Sequence, residues 1–332
     1  MDANEDDLVA AIARLLSGTG PDVLTGIGDD AAVVEPGAGQ LVLAADVLVE
    51  AVHFDRTISS ARSIGYRAVV VNVSDMAAMA ASPRYGLVSL GVPVDVDVSW
   101  VMELFGGMRA AADEYALALI GGDLSRSEEV VISVAITGAV APGGAVERSG
   151  ARPGDRLVVT GALGASAGGL ALARMPRASA HAGTAWARAL EEAYERPVAR
   201  VGEAQVLARA GATAMMDLSD GLSTDLPRLC AASGVGARIE ESSVPISDAL
   251  VEAEDALSID PLRLALSGGD DYELLATLPA DRVEGARLEL KEGFGVPLAD
   301  IGVIIEGSGV VALGPGGNEE PLERGGWDHF GG

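Results

Sequence analysis

Three observations predict a mixed α/β chain, layered in the α+β manner and divided into two domains. Short apolar runs of strand length alternate with helical periodicities, and a Pro/Gly-rich stretch breaks that alternation near the middle. The 332 residues, 49% of them apolar but only 4% aromatic, are enough for two cores built from Ala, Val and Leu.

Taken in order, Asp7 to Leu16 reads as a helix stopped by Gly18, and Leu41 to Ala45 as a strand ending at Asp46. Ser60 to Ala81 carries a long helical pattern with Ile64, Ala68, Val71 and Met79 on its apolar stripe; Asp75 lies on the same stripe, four positions after Val71. A carboxylate there faces the interior, where it must be neutral, hydrogen-bonded or on a metal. Strand signals follow at Leu87 to Val92, Ala118 to Gly121, Val130 to Val140, Arg156 to Thr160, Ala214 to Asp217 and Tyr272 to Thr277, with helical patterns at Trp100 to Leu117 and Ala199 to Ala210. Ala141 to Asp155 reads as a linker, giving domains 1–145 and 146–332. Trp327 and Phe330 in the tail are costly to leave in water, so the tail is expected to be ordered.

A net charge of −26 works against binding a nucleic-acid backbone or an anionic membrane, and Lys291, the only lysine among 23 basic residues, cannot supply a phosphate-binding patch. Cys230 has no intrachain partner for a disulfide and follows an apolar helical stretch, so it reads as a small buried hydrophobe in a reducing cytoplasm. The acidic start MDANEDDL is no signal peptide, and the apolar runs are too short or too interrupted to span a bilayer; a soluble, cytoplasmic protein is expected.

Nine aspartates fall in six short clusters, all but that of Asp46 flanked by Gly or Ser: Asp29 and Asp30, Asp46, Asp75, Asp123, Asp217 and Asp220, and Asp270 and Asp271. Any one alone reads as an ordinary turn, because Asp accepts local backbone hydrogen bonds and Gly permits positive φ. Six with one grammar point to a shared cage, in which the carboxylates would repel by several kcal/mol unless hard divalent ions bridge them. Three histidines, one cysteine and no HExxH or CxxC leave zinc and thiol chemistry little support. Mg²⁺ ions held by Asp clamp a triphosphate and neutralise charge on its γ-phosphoryl group, and a phosphate acceptor, already ionised at neutral pH, needs no general base.

Other motifs compete. No GxxxxGK[ST] surrounds Lys291, and GSGVVA (Gly307 to Ala312) has no helix opening after it. GASAG (Gly164 to Gly168) fits GxSxG, with Ser166 as nucleophile and His329 later in the chain, so a serine hydrolase is a rival; four residues nevertheless separate Thr160 from Ala165, where a nucleophile elbow turns straight out of its strand.

The motifs GIGDDAAVV, DVLVEAVHF, NVSDMAAMAASP, IGGDLSRS, ERSGARPGD, MDLSDGLSTDL, SGGDDYELL and GWDHF together resemble the thiamine-monophosphate kinase family, in the ATP-binding superfamily that also holds aminoimidazole ribonucleotide synthetase. The resemblance spans nearly the whole chain. It implies a two-domain synthetase-like fold that dimerises through its N-terminal β-sheet, and transfer of the ATP γ-phosphoryl group to thiamine monophosphate. By that resemblance Asp30, Asp46, Asp75, Asp123 and Asp217 ligate Mg²⁺ and Asp220 holds a further ion, with Asp75, Asp123 and Asp217 at the catalytic centre. Gly122, Asp123, Arg148 and Ser219 contact ATP; His53, Asp270 and Trp327 contact the thiamine substrate. Read alone, Arg148 is a solvated linker arginine, His53 a structural histidine at a strand end, and Trp327 a tail anchor or a surface for the cationic thiazolium. One departure stands out: Ala44 and Ala45 replace the hydroxyl residues the family carries before Asp46, removing side-chain oxygens there. Another synthetase of the superfamily and a non-catalytic nucleotide or thiamine-phosphate binder remain alternatives.

Overall fold

The structure, a computed structural model of the chain, describes residues 11–16, 23–25, 33–34, 39–141, 144–175, 181, 183–314 and 316–326. The chain forms two compact units, Met1–Met76 with Ala81–Gly144, and Ala77–Ala80 with Ala145–Gly332.

In the first unit β1 (Val23–Thr25) and β2 (Val33–Val34) form an antiparallel ribbon. A second sheet holds β3 (Leu41–Val49), β4 (Ala81–Val92), β5 (Ala118–Arg126) and β6 (Val131–Val140) in the order β3-β6-β4-β5, with only β4 and β5 parallel. Strict alternation in β6 gives the sheet one dry face. Ile132, Val134 and Ile136 are buried, while their odd-numbered neighbours are half-buried or exposed. The helices Ala61–Ala78 and Val98–Glu114 cross at two glycines: a Cβ on Gly65 would lie 1.9 Å from the Leu104 carbonyl oxygen, and one on Gly107 equally close to that of Arg62. On the buried face of β6, Gly138 leaves room for the Met76 sulfur.

Sequence periodicity assigned the Ala61–Ala78 helix one apolar stripe, yet Ile64, Ala68, Val69, Val70, Val73 and Met76 are all fully buried. With a second helix and the sheet both against it, the helix is enclosed almost all round. Three strands also run further than expected, among them β5, which continues past Gly121 to Arg126. The strand expected to stop at Asp46 continues to Val49 because Val47 and Val49 extend the pairing with β6, and β4 begins at Ala81, absorbing Pro83 where its register with β6 shifts. Asp46 and Asp123 therefore lie within strands rather than at their ends.

The second unit is built on a seven-stranded sheet of β7 (Arg156–Thr160), β8 (Ala214–Asp217), β9 (Gly236–Glu240), β10 (Leu274–Leu278), β11 (Leu298–Ile305), β12 (Gly309–Leu313) and β13 (Glu319–Pro321). Their order is β13-β12-β9-β11-β7-β10-β8, with β9 and β12 parallel and the other pairs antiparallel. Strands β8 and β10 are buried at every position because both faces of the sheet are covered. One core joins Leu157, Val159, Met216 and Leu275 to Leu226, Leu229 and Cys230 of the Leu222–Ser233 helix. The other joins Val158, Met215 and Ala276 to Leu207 of the Val201–Ala210 helix and Leu290 of the Val283–Phe294 helix. Cys230 is buried as expected, and burial pushes its thiol up to about 11, which leaves it inert at neutral pH. GSGVVA runs into β12 rather than a helix.

Candidate active site

In the first unit the structure brings Asp46 and Asp75 together. Asp46 pairs with Val134, whose side chain is buried, and so points to the helix-covered face; Asp75 reaches it from the Ala61–Ala78 helix, and their side chains hydrogen-bond. Burial raises the Asp46 carboxyl above the ordinary range, opposed by the Asp75 hydrogen bond. His53 is fixed too: its Nδ1 accepts the Val49 N–H at 3.0 Å, so the neutral ring carries its proton on Nε2 and presents a donor. Two carboxylates in hydrogen-bonding contact require a proton or a cation between them, and an all-oxygen donor pair suits Mg²⁺.

Asp123 stands apart from that pair. It is exposed on β5, accepts a hydrogen bond from Ser125 Oγ at 2.8 Å, and shares a register row with Ser89, Ser133 and Val47. The neighbouring row runs Gly122, Val88, Val134, Asp46, so Asp46 and Asp123 lie on opposite faces and three strand spacings apart, about 14 Å along the sheet. Gly122 is required sterically, since a Cβ there would lie 1.8 Å from the Val88 carbonyl oxygen.

In the second unit two acidic turns interlock. Asp217 ends β8, buried at the edge of the sheet opposite Leu274, and the chain turns through Ser219 and Asp220 into the Leu222–Ser233 helix. The turn before β10 lies against it: Asp270 N–H donates to the Ser219 carbonyl at 2.9 Å, and Tyr272 N–H to the Leu218 carbonyl at 2.9 Å. A Cβ on Gly269 would approach the Ser219 oxygen to 2.6 Å, so only glycine allows the two backbones to meet. Asp217, Ser219, Asp220 and Asp270 thus occupy one neighbourhood.

Two supporting carboxylates escaped the sequence reading. Fully buried Asp225 accepts the Ser219 and Asp220 N–H groups through one oxygen, at 3.1 and 2.9 Å, while Arg228 donates to its other oxygen at 2.8 Å and also bonds Asp220. Burial, with the charges of Asp220 and Asp217, lifts the Asp225 carboxyl to about 6 against the Asp220 N–H bond and Arg228. A signal for it existed: Asp225 sits beside Leu222, Leu226 and Leu229 on one stripe, the pattern that marked Asp75. Asp271, expected only as part of an acidic cluster, accepts the N–H groups of Gly164, at 2.8 Å, and Ser166 and so caps the Ala165–Ala173 helix.

That cap overturns the hydrolase alternative. Ser166 is buried with its N–H tied to Asp271, and GASAG closes a helix end instead of presenting a nucleophile. Arg148 is exposed, its backbone anchored where Met215 N–H donates to the Glu147 carbonyl at 2.9 Å and Ser233 Oγ to the Arg148 carbonyl at 3.0 Å. Asp29, Asp30, Trp327 and His329 lie outside the described residues. The chain leading to Trp327 passes the second acidic turn: Gly325 and Gly326 N–H groups donate to Ser223 Oγ and Thr224 Oγ1, both at 3.2 Å, and a Cβ on Gly326 would lie 2.0 Å from the Asp220 carbonyl oxygen. Among the described residues no group of three or more His, Cys, Asp or Glu is placed to hold a metal. Within the described residues the acids gather as the Asp46–Asp75 pair in the first unit, with Asp123 apart from it, and as the Asp217, Asp220 and Asp270 neighbourhood in the second.

Residues 28–140 match the family AIR synthase related protein, N-terminal domain, and residues 152–314 its C-terminal domain. Over 335 residues the chain is 38% identical to thiamine-monophosphate kinase of Escherichia coli (strain K12), with 99% of each chain covered. It is similar in structure to thiamine-monophosphate kinase from Stenotrophomonas maltophilia K279a, at a TM-score of 0.79 and 38% identity over 92% of this chain and 94% of that one. AaThiL, solved in complex with AMPPCP and TMP, superposes with a TM-score of 0.79 and 35% identity over 98% of this chain and 97% of its own. The chain belongs to the thiamine-monophosphate kinase family, whose two halves are the AIR synthase related domains.

Proposed function

We propose that the protein transfers the γ-phosphoryl group of ATP in line to the phosphate of thiamine monophosphate, giving thiamine diphosphate and ADP. The observation that carries this reading is the likeness, over almost the whole chain, to AaThiL holding AMPPCP and TMP. The acceptor oxygen is ionised at neutral pH, so the protein's task is positioning and charge neutralisation rather than base catalysis.

The residues divide the work as follows. Asp46 and Asp75, with Asp30, would hold Mg²⁺ in the first unit, Asp123 would hold it from the opposite face of the sheet, and Asp217 and Asp220 would do so in the second unit. When bound there, Mg²⁺ would supply positive charge to offset the charge that develops on the transferred phosphoryl group. Gly122, Asp123 and Ser219 meet ATP, and Arg148 offers a permanent planar fork to its phosphates. His53 donates through Nε2 to the thiamine substrate, Asp270 accepts from it, and Trp327 lies against the thiazolium.

The protein acts in the cytoplasm as a homodimer formed by the open face of the four-stranded sheet. Leu41, Leu43, Val47 and Leu87 are 59%, 70%, 47% and 46% exposed on β3 and β4, an apolar strip that a second copy would take out of water. Asp123 borders that strip through its row with Val47, so it would lie at the seam between copies. Among the described residues no helix is long and apolar enough to cross a membrane.

Incubating purified protein with ATP, Mg²⁺ and thiamine monophosphate tests the reaction: thiamine diphosphate and ADP should form in equal amounts. Tight binding of both substrates without diphosphate would favour a non-catalytic binder, the reading that Ala44 and Ala45 keep in play.

A further inference from the structure

The turn before β10 is held in an unusual backbone state. Asp270 and Tyr272 both adopt left-handed conformations, with φ of +66° and +52°, although Gly268 and Gly269 stand immediately before them. A non-glycine residue in that region costs roughly 1 kcal/mol or more, and Tyr lacks the short polar side chain that eases the cost for Asp. Side chains kept at such positions are kept for what they carry. The Tyr272 ring is buried, its N–H is tied to the Leu218 carbonyl at 2.9 Å, and its hydroxyl donates to Asp270 Oδ1 at 2.7 Å. Asp270 is held from the other side by its N–H on the Ser219 carbonyl.

From this geometry we propose that Tyr272 is a positioning residue: its hydroxyl fixes the rotamer of the Asp270 carboxylate so that its lone pairs meet the donor groups and positive charge of the thiamine base. The inference rests on Asp270 contacting the acceptor substrate. A carboxylate has about four lone-pair sites, and the bond from Tyr272 occupies one of them. A swinging carboxylate must be ordered again at each binding event, whereas one pinned by a buried phenol meets the substrate already oriented. Because the phenol acts through Asp270, its loss weakens thiamine monophosphate and spares ATP.

The test compares Tyr272→Phe, Asp270→Asn and the double variant, using steady-state kinetics in both substrates and calorimetric titration of thiamine monophosphate. Tyr272→Phe removes one oxygen and leaves the ring packing, so thermal unfolding should move little. Losing a hydrogen bond to a charged acceptor should raise both KM and Kd for thiamine monophosphate about tenfold, with KM for ATP and kcat each within about twofold of wild type. The double variant should bind thiamine monophosphate no more weakly than Asp270→Asn. Equal losses for ATP and thiamine monophosphate, or additive losses in the double variant, would overturn the proposal. If Asp270→Asn weakens thiamine monophosphate and Tyr272→Phe does not, the positioning role alone fails. If Asp270→Asn itself binds normally, Asp270 is no substrate contact and both ideas go together.

Discussion

The two units handle buried acid in opposite ways. In the first, Asp46 and Asp75 meet carboxylate to carboxylate, and burial lifts Asp46. In the second, Asp225 is neutralised from within: two backbone N–H groups engage one oxygen, and Arg228 spans Asp225 and Asp220. A pair of like charges pressed together stores repulsion that a bound cation relieves, whereas an acid tied to N–H groups and a guanidinium has already spent its charge on holding a turn. Carboxylates of the first kind read as ligands and those of the second as scaffolding, even when both sit on apolar helix stripes.

The largest expected effect breaks the first kind. Asp75→Asn removes one charge at almost constant volume, so turnover should fall at least about a thousandfold. The fold should survive, and the metal-free protein should unfold at the wild-type temperature or slightly above it, because the repulsion with Asp46 is gone. Turnover and calorimetry on the same sample check both halves; retained activity would remove Asp75 from the metal reading.

Scaffold and ligand were legible to different degrees. Alternating Val and Ile in β6 and the apolar runs of β7 and β10 announced strands, because burial of one or both sheet faces writes itself into local composition. The extension of β3 through Asp46 was missed because a polar residue inside a strand looks like its end until the partner strand is known. Asp271 could not be told from Asp270 in SGGDD: only the fold shows that one caps a helix a hundred residues away while the other borders the Asp217 turn. Nor does sequence spacing reveal that Asp46 and Asp123 lie on opposite faces of a sheet, since that depends on strand order.

The next largest effect should fall on stability first. Asp225→Ala strips Ser219 and Asp220 N–H groups of their acceptor and leaves Arg228 with Asp220 alone, a loss of about 3 kcal/mol or more for breaking a buried charged network. Thermal unfolding should fall by several degrees, with activity reduced because the Asp217 to Gly221 turn loosens. Arg228→Gln should do the same more mildly, as its side chain is partly solvent-exposed. An Asp225→Ala protein of normal stability but no activity would move Asp225 into the ligand class and erase the contrast between the units.

A smaller effect concerns pH. Burial, opposed by the Gly164 N–H and reinforced by the charge of Glu273, lifts Asp271 from 3.8 to about 8, so the folded protein retains this proton long after the unfolded chain has lost it. The group's stabilising contribution is complete below about pH 4, declines as pH rises toward 8, and is flat above that. Asp271→Asn is neutral throughout and lacks the decline. The unfolding temperature of the variant relative to wild type should therefore climb between pH 5 and pH 8 and then level off. A gap that stays constant over this range would mean that Asp271 is ionised in the fold, held by the helix N-terminus in the manner of Asp225.

The smallest expected effect sharpens the ligand side. Ala44 precedes Asp46 by two residues on the edge strand β3, pairs with Ile136 and so shares the helix-covered face of the sheet with Asp46. Ala44→Thr adds a hydroxyl on that face in a residue type that strands favour, at the cost of one extra buried methyl. If the first unit is short of oxygen donors, the Mg²⁺ concentration giving half-maximal activity should fall about two- to threefold with little change at saturation. Ala45→Thr projects to the opposite face, the one proposed to join two copies, and should leave the Mg²⁺ dependence unchanged in protein shown by gel filtration to keep the wild-type oligomeric state. If both substitutions are silent, the Asp46–Asp75 pair completes its cation shell without hydroxyl donors, and the two alanines are a neutral departure rather than a deficit.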